Sequence, residues 1–583
     1  MNDKMPTPSS AGRATWLLAA LLLSPVLLAP IALRGDESVV NSKHNLSISG
    51  RGEIRALTED QVCIFCHAPH NAAPQTPLWN RHNPTAYYRI YQSSTTDARI
   101  DQPGAASKMC LSCHDGTIAM GLVLSRDPND PIPMNQPFMP TGPSNLTNDL
   151  SDDHPIGFRF DRQLSNRDPQ LRSPDLVSRE IQLGDRGQLE CTACHDPHNN
   201  ELGNFLRVTE RQGALCNTCH NMTGWRFSAH ALSPRTVPAV VTGGLPREFR
   251  SMADNACGSC HASHGAGHPE RLLHDRPSDL CINCHNGLHG RDIQGVLNSR
   301  SGHRLSRFFD VHDPKENPLT MRPHVECVDC HNPHAVRDDP LGSRLARIDL
   351  GRSRVPPAMM EIPGVSSSGA PVDRATYYYE VCFRCHADNP VPISNRIVRQ
   401  RDNYGNIRRQ LLPTAASAHP ITRSARGGLE VPSLTPAARL KTTMDCQDCH
   451  NNPDARELGG GGPNGPHGSR FEFLLADRYE TADFTMESPQ AYSLCYQCHD
   501  RNSILGDESF RGHRRHIVDA RTPCSACHAP HGVSGSRSQH DHLINFDLTI
   551  VGGQRFYNDT GLFSGSCTLT CHGVNHVNFT YSP

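Results

Sequence analysis

The chain has 583 residues, a formal charge of −2, and 36% hydrophobic residues at a mean hydropathy of −0.52. So even a charge balance leaves no electrostatic footprint for nucleic acid. With 46 Pro and 45 Gly and so little apolar material, the composition also argues against ordinary domains, each built on its own core.

Residues 1–35 read as an export signal, in which Lys4 and Arg13 precede an apolar run from Trp16 to Leu33 broken by Ser24, Pro25 and Pro30. A short core with Pro near its end fits a signal peptide better than a stable membrane span. An uncleaved single anchor is the alternative, because no clean small-x-small cleavage site follows. No cysteine precedes Cys63, which excludes a lipidated cysteine at the mature N-terminus.

The first cysteines lie in Cys63-Ile64-Phe65-Cys66-His67-Ala68-Pro69-His70. C-x-x-C-H is the attachment signature of c-type haem: two thiols add to the haem vinyls and the following His takes one axial position on the iron. The same motif starts at Cys63, Cys110, Cys191, Cys216, Cys257, Cys281, Cys327, Cys382, Cys446, Cys495 and Cys524. A twelfth, one residue longer, is Cys567-Thr568-Leu569-Thr570-Cys571-His572, and the twelve pairs consume all 24 cysteines. Zinc knuckles and disulfides are the competing readings. With 34 His in the chain, a His directly after every pair arises by chance about once in 10^15. The sequence therefore implies twelve covalently attached haem c groups. Roughly 46 residues per haem are too few for a separate core around each, so the porphyrins themselves must be the core. Much of the haem-free chain should stay unfolded.

Beyond the leader the chain divides into six two-haem units with one shared order: an upstream His, a motif with another His three residues past it, then a second motif. Unit 1 (36–143) has His44, then Cys63, Cys66, His67 with His70, then Cys110, Cys113, His114. Unit 2 (144–222) has His154, then Cys191, Cys194, His195 with His198, then Cys216, Cys219, His220. Unit 3 (223–292) has His230, then Cys257, Cys260, His261 with His264, then Cys281, Cys284, His285. Unit 4 (293–400) has His303, then Cys327, Cys330, His331 with His334, then Cys382, Cys385, His386. Unit 5 (401–502) has His419, then Cys446, Cys449, His450, then Cys495, Cys498, His499. Its doublet is interrupted by Asn451-Asn452-Pro453 and a Gly-rich insertion, Gly459 to Gly462, after which Pro466-His467 supplies the displaced partner. Unit 6 (503–583) has His513, then Cys524, Cys527, His528 with His531, then the long motif Cys567, Cys571, His572.

His70 cannot bind the iron held by His67. The second axial position lies across the porphyrin plane, and three residues span at most about 10 Å. A doublet His that is a ligand must therefore serve a neighbouring haem, which forces two macrocycles close together. The upstream histidines and the doublet partners supply twelve distal ligands: His44, His154, His230, His303, His419 and His513, with His70, His198, His264, His334, His467 and His531. His289, His516 and His576 are the substitutes. Thirteen Met show no position recurring by repeat, so the sequence predicts low-spin, low-potential, bis-His haems throughout.

Between units lie loop-like stretches, Asp127 to Asn148, Leu341 to Pro371 and Arg401 to Arg439. Short helices are expected to lead into second motifs, as in Ser488-Pro489 before Cys495, with Ser107 and Ser278 capping in the same way. The one strand signal is Leu543 to Val551, before Gly552-Gly553. The predicted fold is mostly coil with short helices and little sheet, organised around the haems. Some of the 52 Arg, against 5 Lys, should clamp haem propionates, the alternative being a solvated surface.

With its doublets laid out, the chain resembles the multihaem c-type cytochromes with doubled C-x-x-C-H motifs found in bacteria that respire on extracellular metals. Pro77-Leu78-Trp79-Asn80-Arg81 and Cys110-Leu111-Ser112-Cys113-His114-Asp115-Gly116-Thr117 add to the likeness. The resemblance implies an electron conduit in the periplasm, in an outer-membrane complex or at the cell surface. Its partners would be other electron-transfer cytochromes and an outer-membrane porin, with membrane contact only through an uncleaved N-terminal segment. The chain lacks the lipidation cysteine of many surface-anchored relatives. An enzyme reading, a reductase or oxidase of nitrite, hydroxylamine or a sulfur oxyanion, needs one haem with an open face, and the long motif is the place to look. A third reading is a conductive filament in which His44 or His576 ligates a haem of the next copy.

Overall fold

A computed structural model of the protein describes residues 38–70, 78–238, 249–305, 312–337, 354–389, 397–401, 405–425 and 431–583. The leader and parts of the loops at 341–371 and 401–439 lie outside the described residues. Among the described residues no helix is long and apolar enough to cross a membrane.

The chain is mostly coil with short helices and small sheets. The three longest helices, Ala105–His114, Pro277–Cys284 and Tyr378–His386, each run into a second motif of a unit. Apolar packing is split into small local clusters, such as Leu46, Ala56, Phe65, Met120, Val123 and Ile132, which leaves the long-range architecture to other contacts.

One such contact is a repeated two-residue ladder. Ser301–Gly302, just before His303, pairs with Gly468–Ser469, just after His467. Ser417–Ala418, before His419, pairs with Gly532–Val533, after His531. Single bonds do the same job elsewhere: Ala229 N–H donates to Val336 O at 2.6 Å, and His154 N–H to Ser263 O at 2.8 Å. The segment entering an upstream His in one unit is therefore zipped to the segment around the doublet His of a later one. This explains the shared Ser-x-His wording at 228–230, 301–303 and 417–419.

Three local expectations are corrected. Ser107 and Ser278 do not cap helices; they lie inside them, buried. Their hydroxyls instead accept from Cys191 N–H at 3.1 Å and from Cys327 N–H at 3.4 Å, the first cysteines of later motifs. Ser488 accepts from Ala491 N–H, but the helix that follows covers only Ser493–Tyr496. The alternation from Leu543 to Val551 does not become a strand, because Asp541–Leu543 forms a 3₁₀ turn and Asp547 Oδ1 captures Thr549 N–H at 3.0 Å. The strand starts at Val551: Val551–Gly561, Ser564–Cys571 and Val574–Tyr581 form an antiparallel meander, more sheet than the composition suggested.

Candidate haem sites

Eleven motifs fold into one helical turn. In nine the His N–H donates to the first cysteine's carbonyl at 2.8–3.0 Å, as His67 does to Cys63 O at 2.8 Å and His528 to Cys524 O at 3.0 Å. The remaining two, ending at His114 and His386, lie within helices. Residues i, i+3 and i+4 share one face of such a turn, so both thiols and the imidazole face the same space. The twelfth differs. Cys567 and Cys571 lie in one strand, opposite Tyr557 and Val551. Strand residues four apart are about 13 Å distant, so these two thiols are spread more widely than those of a helical turn.

The imidazoles come together in pairs. Within a unit, the upstream His faces the second-motif His: His44–His114 at 6.2 Å between ring centroids, His154–His220 at 6.3 Å, His230–His285 at 6.1 Å and His303–His386 at 6.2 Å. His419 stands against His499 and, after burial, is the next cause of the low pKa of His499, about 4. Between units, the doublet His faces the first-motif His of the unit before it. These pairs are His198–His67 at 6.0 Å, His264–His195 at 6.2 Å, His334–His261 at 6.2 Å, His467–His331 at 5.7 Å and His531–His450 at 5.9 Å. Two metal–imidazole bonds of about 2 Å each need facing nitrogens about 4 Å apart; His331 Nε2 and His467 Nε2 stand 3.4 Å apart.

Second contacts orient the rings. Upstream histidines place Nδ1 on the Pro carbonyl that precedes a doublet His: His230 on Pro333 O at 3.0 Å, His303 on Pro466 O at 2.8 Å, and His419 on Pro530 O. First-motif histidines place Nδ1 on a backbone turn downstream: His195 on Asn204 O at 2.8 Å, His261 on Arg271 O at 2.8 Å, His450 on Phe473 O at 2.9 Å and His528 on His542 O at 2.8 Å. Each of these turns has two consecutive left-handed residues, with φ of +49° and +58° at Asn204 and Phe205 and +56° and +62° at His542 and Leu543. An Nδ1–H donated to a carbonyl leaves the Nε2 lone pair for a metal. Burial keeps the imidazoles neutral: it is the largest cause pushing His44, His220, His334, His386 and His528 down to about 4, and His467, His513 and His531 to about 3.

The attachment points follow each other in chain order. Cys66 lies beside Cys113, Cys110 beside Cys191, Cys194 beside Cys219, Cys216 beside Cys257, Cys260 beside Cys284 and Cys281 beside Cys327. The series continues with Cys330 beside Cys382, Cys382 beside Cys446, Cys449 beside Cys495, Cys495 beside Cys524 and Cys527 beside Cys567. Gly213 makes one close junction: a Cβ there would lie 2.8 Å from Cys257 Sγ. One continuous cavity of ≈ 6090 Å³ is lined by eleven motif histidines and every motif cysteine except Cys571. Pockets for a single drug-sized ligand hold about 300–1,000 Å³, so the space suits several cofactors.

Both ends depart from the expected ligand set. His70 is exposed and no imidazole faces it among the described residues. His513 faces His528 at 6.5 Å rather than His572. His572 is left with Asp483, its Nε2 2.9 and 3.0 Å from the two carboxylate oxygens, and stacks on Phe484 at 4.6 Å. Of the substitutes, His516 and His576 face each other at 6.1 Å and no motif His, while His289 Nδ1 contacts Thr236 O at 3.0 Å.

The sequence reading missed the turns that hold first-motif histidines. Their signal is a hydrophobic doublet downstream: Phe205-Leu206, Leu272-Leu273, Leu474-Leu475 and Leu543-Ile544. It also missed Arg81, fully buried, which donates through Nη1 to Met120 O at 2.7 Å and through Nη2 to Ser112 O at 3.1 Å and Ala119 O at 3.0 Å. That arginine clasps the backbone of the second motif.

The family model of the doubled CXXCH motif matches residues 185–224 and 250–290. A curated relative, "Multiheme cytochrome MtrA" of Shewanella baltica (strain OS185), is 28% identical over 165 residues, covering 26% of this chain and 37% of the relative. The chain thus aligns with little more than a third of that relative's length.

Proposed function

We infer that this chain, a multihaem c-type cytochrome with doubled C-x-x-C-H motifs that serves electron transfer, is an exported dodecahaem conduit. The observation that carries the reading is the order of the attachment points, each beside the next from Cys66 to Cys567. Haem iron, when bound, supplies one-electron exchange. The protein's part is to hold the sites in a line, close both axial positions with imidazole, and clamp neighbours together. Each doublet segment does two of these jobs: His331 would hold its own haem iron while His334, three residues on, reaches the iron beside His261. With both faces closed, the eleven paired sites are low-spin and of low potential.

The six two-haem units are the proposed organisation, interlocked rather than independent. The proposed setting is the periplasm, an outer-membrane complex or the cell surface, with other cytochromes and a porin as partners or with self-assembly into a filament. The relative named as a multihaem cytochrome supports the electron-transfer role at low identity. A second reading is favoured by one observation: His572 faces no imidazole, so the twelfth site could carry an open iron that acts on nitrite, hydroxylamine or a sulfur oxyanion. A haem count by mass and electron paramagnetic resonance of the oxidised protein separate the two. Twelve haems without response to nitrite, hydroxylamine or cyanide are expected for the conduit. A high-spin signal worth about one haem that responds to them would overturn full ligation and favour the second reading.

A further inference from the structure

Away from the imidazole pairs, a second kind of cluster is buried between the motifs at Cys327 and Cys382. Asp329 sits between the two cysteines of the first and is 8% exposed; Arg384 sits between those of the second and is 2% exposed. A loop brings His312, Glu316 and His324 onto Asp329, with His312 4% and His324 2% exposed. His312 Nδ1 lies 3.1 Å from Glu316 Oε1 and 2.9 Å from Asp329 Oδ1. His324 Nε2 lies 3.2 Å and 3.0 Å from the same two oxygens. Nitrogen and oxygen thus alternate around a ring of four atoms.

We propose that His312, Glu316, His324 and Asp329 form a closed site for a divalent transition metal of the zinc type, separate from the haems. Ligands about 2.0 Å from a tetrahedral ion lie about 3.3 Å from each other, close to the four edges found here. The surrounding contacts fit ligation. His324 Nδ1 faces Arg322 O at 2.8 Å, which turns the Nε2 lone pair inward. Asp329 Oδ2 accepts from Glu326 N–H at 2.7 Å, leaving Oδ1 for the centre. His312 Nδ1 is buried beside two carboxylates yet makes no aligned hydrogen bond to either, as a lone pair aimed between them would.

Charge points the same way. Arg384 Nη2 donates to Glu316 Oε1 at 2.7 Å and lies 3.6 Å from Asp329 Oδ1, so one guanidinium stands against two carboxylates. With neutral imidazoles the cluster keeps one uncompensated negative charge, which burial makes costly. A divalent ion offsets the two carboxylates and staples the loop to the attachment turn of a haem. Two imidazoles with two carboxylates suit zinc or a similar borderline ion better than calcium or magnesium, which take oxygen ligands.

The test uses the holo-cytochrome, stripped with EDTA, dialysed and titrated with zinc sulfate by calorimetry, with X-ray absorption at the zinc edge. One tight equivalent is expected, with only nitrogen and oxygen neighbours near 2.0 Å. His324→Ala and Glu316→Gln should weaken it at least about 100-fold while the haem count stays constant. Absence of a tight equivalent in the wild type, unchanged affinity in both variants, or sulfur in the zinc shell overturns the proposal; the first would leave the cluster as a protonated imidazole–carboxylate network. If the variants lose haem, the wild-type titration and its zinc shell decide alone.

Discussion

The motifs ending at His528 and His572 adjoin each other in space, with Cys527 beside Cys567, yet they have different backbones. Cys524–Ala526 is a 3₁₀ turn, while Cys567 and Cys571 belong to a strand of the C-terminal meander. The first presents thiols and imidazole on one face; the second spreads its thiols along the central strand of the sheet. The extra residue explains why the difference is possible. A three-residue spacer keeps the cysteines at i, i+4 but moves the His to i+5, off the face that i, i+3 and i+4 share, and Thr568-Leu569-Thr570 is better suited to strand than to helix. What this teaches is that the attachment turn, more than the cysteines, organises the interior. Where the turn is replaced by sheet, a small apolar cluster of Ala526, Phe546, Val551 and Tyr557 takes over.

The largest expected effect breaks this comparison outright. A chain produced without haem attachment should lose cooperative unfolding, because the walls of a cavity of ≈ 6090 Å³ have little else to pack on. Amide hydrogen exchange should find residual protection concentrated in the strands from Val551 to Tyr581, where a hydrogen-bonded ladder exists without cofactor. Uniform protection across the chain would mean that the interior has a core of its own.

The next effect tests the crossing of ligands between units. His334→Ala should produce a high-spin signal worth about one haem, and the damaged site should be the one attached at Cys257 and Cys260 rather than at Cys327 and Cys330. His70→Ala, at the exposed end of the same repeat position, should leave the spin state unchanged. Paramagnetic resonance of the two variants reads the contrast directly. A signal of equal size in both would break the rule that doublets serve the preceding unit.

These contacts show how far the sequence reaches. Haem attachment was legible, because covalent chemistry fixes residue types and spacing. That His467 faces His331 at 5.7 Å follows from its place after the Gly-rich insertion, with Gly462 N–H bonded to Asp454 O at 2.7 Å folding the insertion back. The roles of Ser107, Ser278 and Arg81 were not legible. A serine three residues before a cysteine looks like a cap, and only tertiary structure shows its hydroxyl on the backbone of another motif. The ends were misread for a similar reason: each doublet His faces the first-motif His of the unit before it, an offset that a tally of twelve distal histidines ignores.

A smaller effect concerns the clasp at the second motif. Arg81→Ala should cost about 3 kcal/mol, since it strands buried carbonyls of Ser112, Ala119 and Met120. The loss would appear as an earlier onset of unfolding in guanidinium, followed by haem absorbance. The C-terminal meander, remote from Arg81 in sequence and built on its own ladder, should keep its exchange protection at that onset. Simultaneous loss of both would show that interior and sheet unfold as one unit.

The smallest effect separates backbone strain from crowding between neighbouring attachment turns. Gly213 has φ +67° and an added Cβ would meet Cys257 Sγ at 2.8 Å; Gly573, beside the strand motif, has φ +75° and nothing within 4 Å. Gly573→Ala should therefore cost only the left-handed penalty of about 1–2 kcal/mol. Gly213→Ala carries the same penalty and also pushes two thioether sites apart. It should cost measurably more in thermal stability and slow electron exchange between the haems at Cys216 and Cys257. Equal losses in the two variants would mean that the junction has slack, and that close approach of cysteines is not what sets the spacing along the interior.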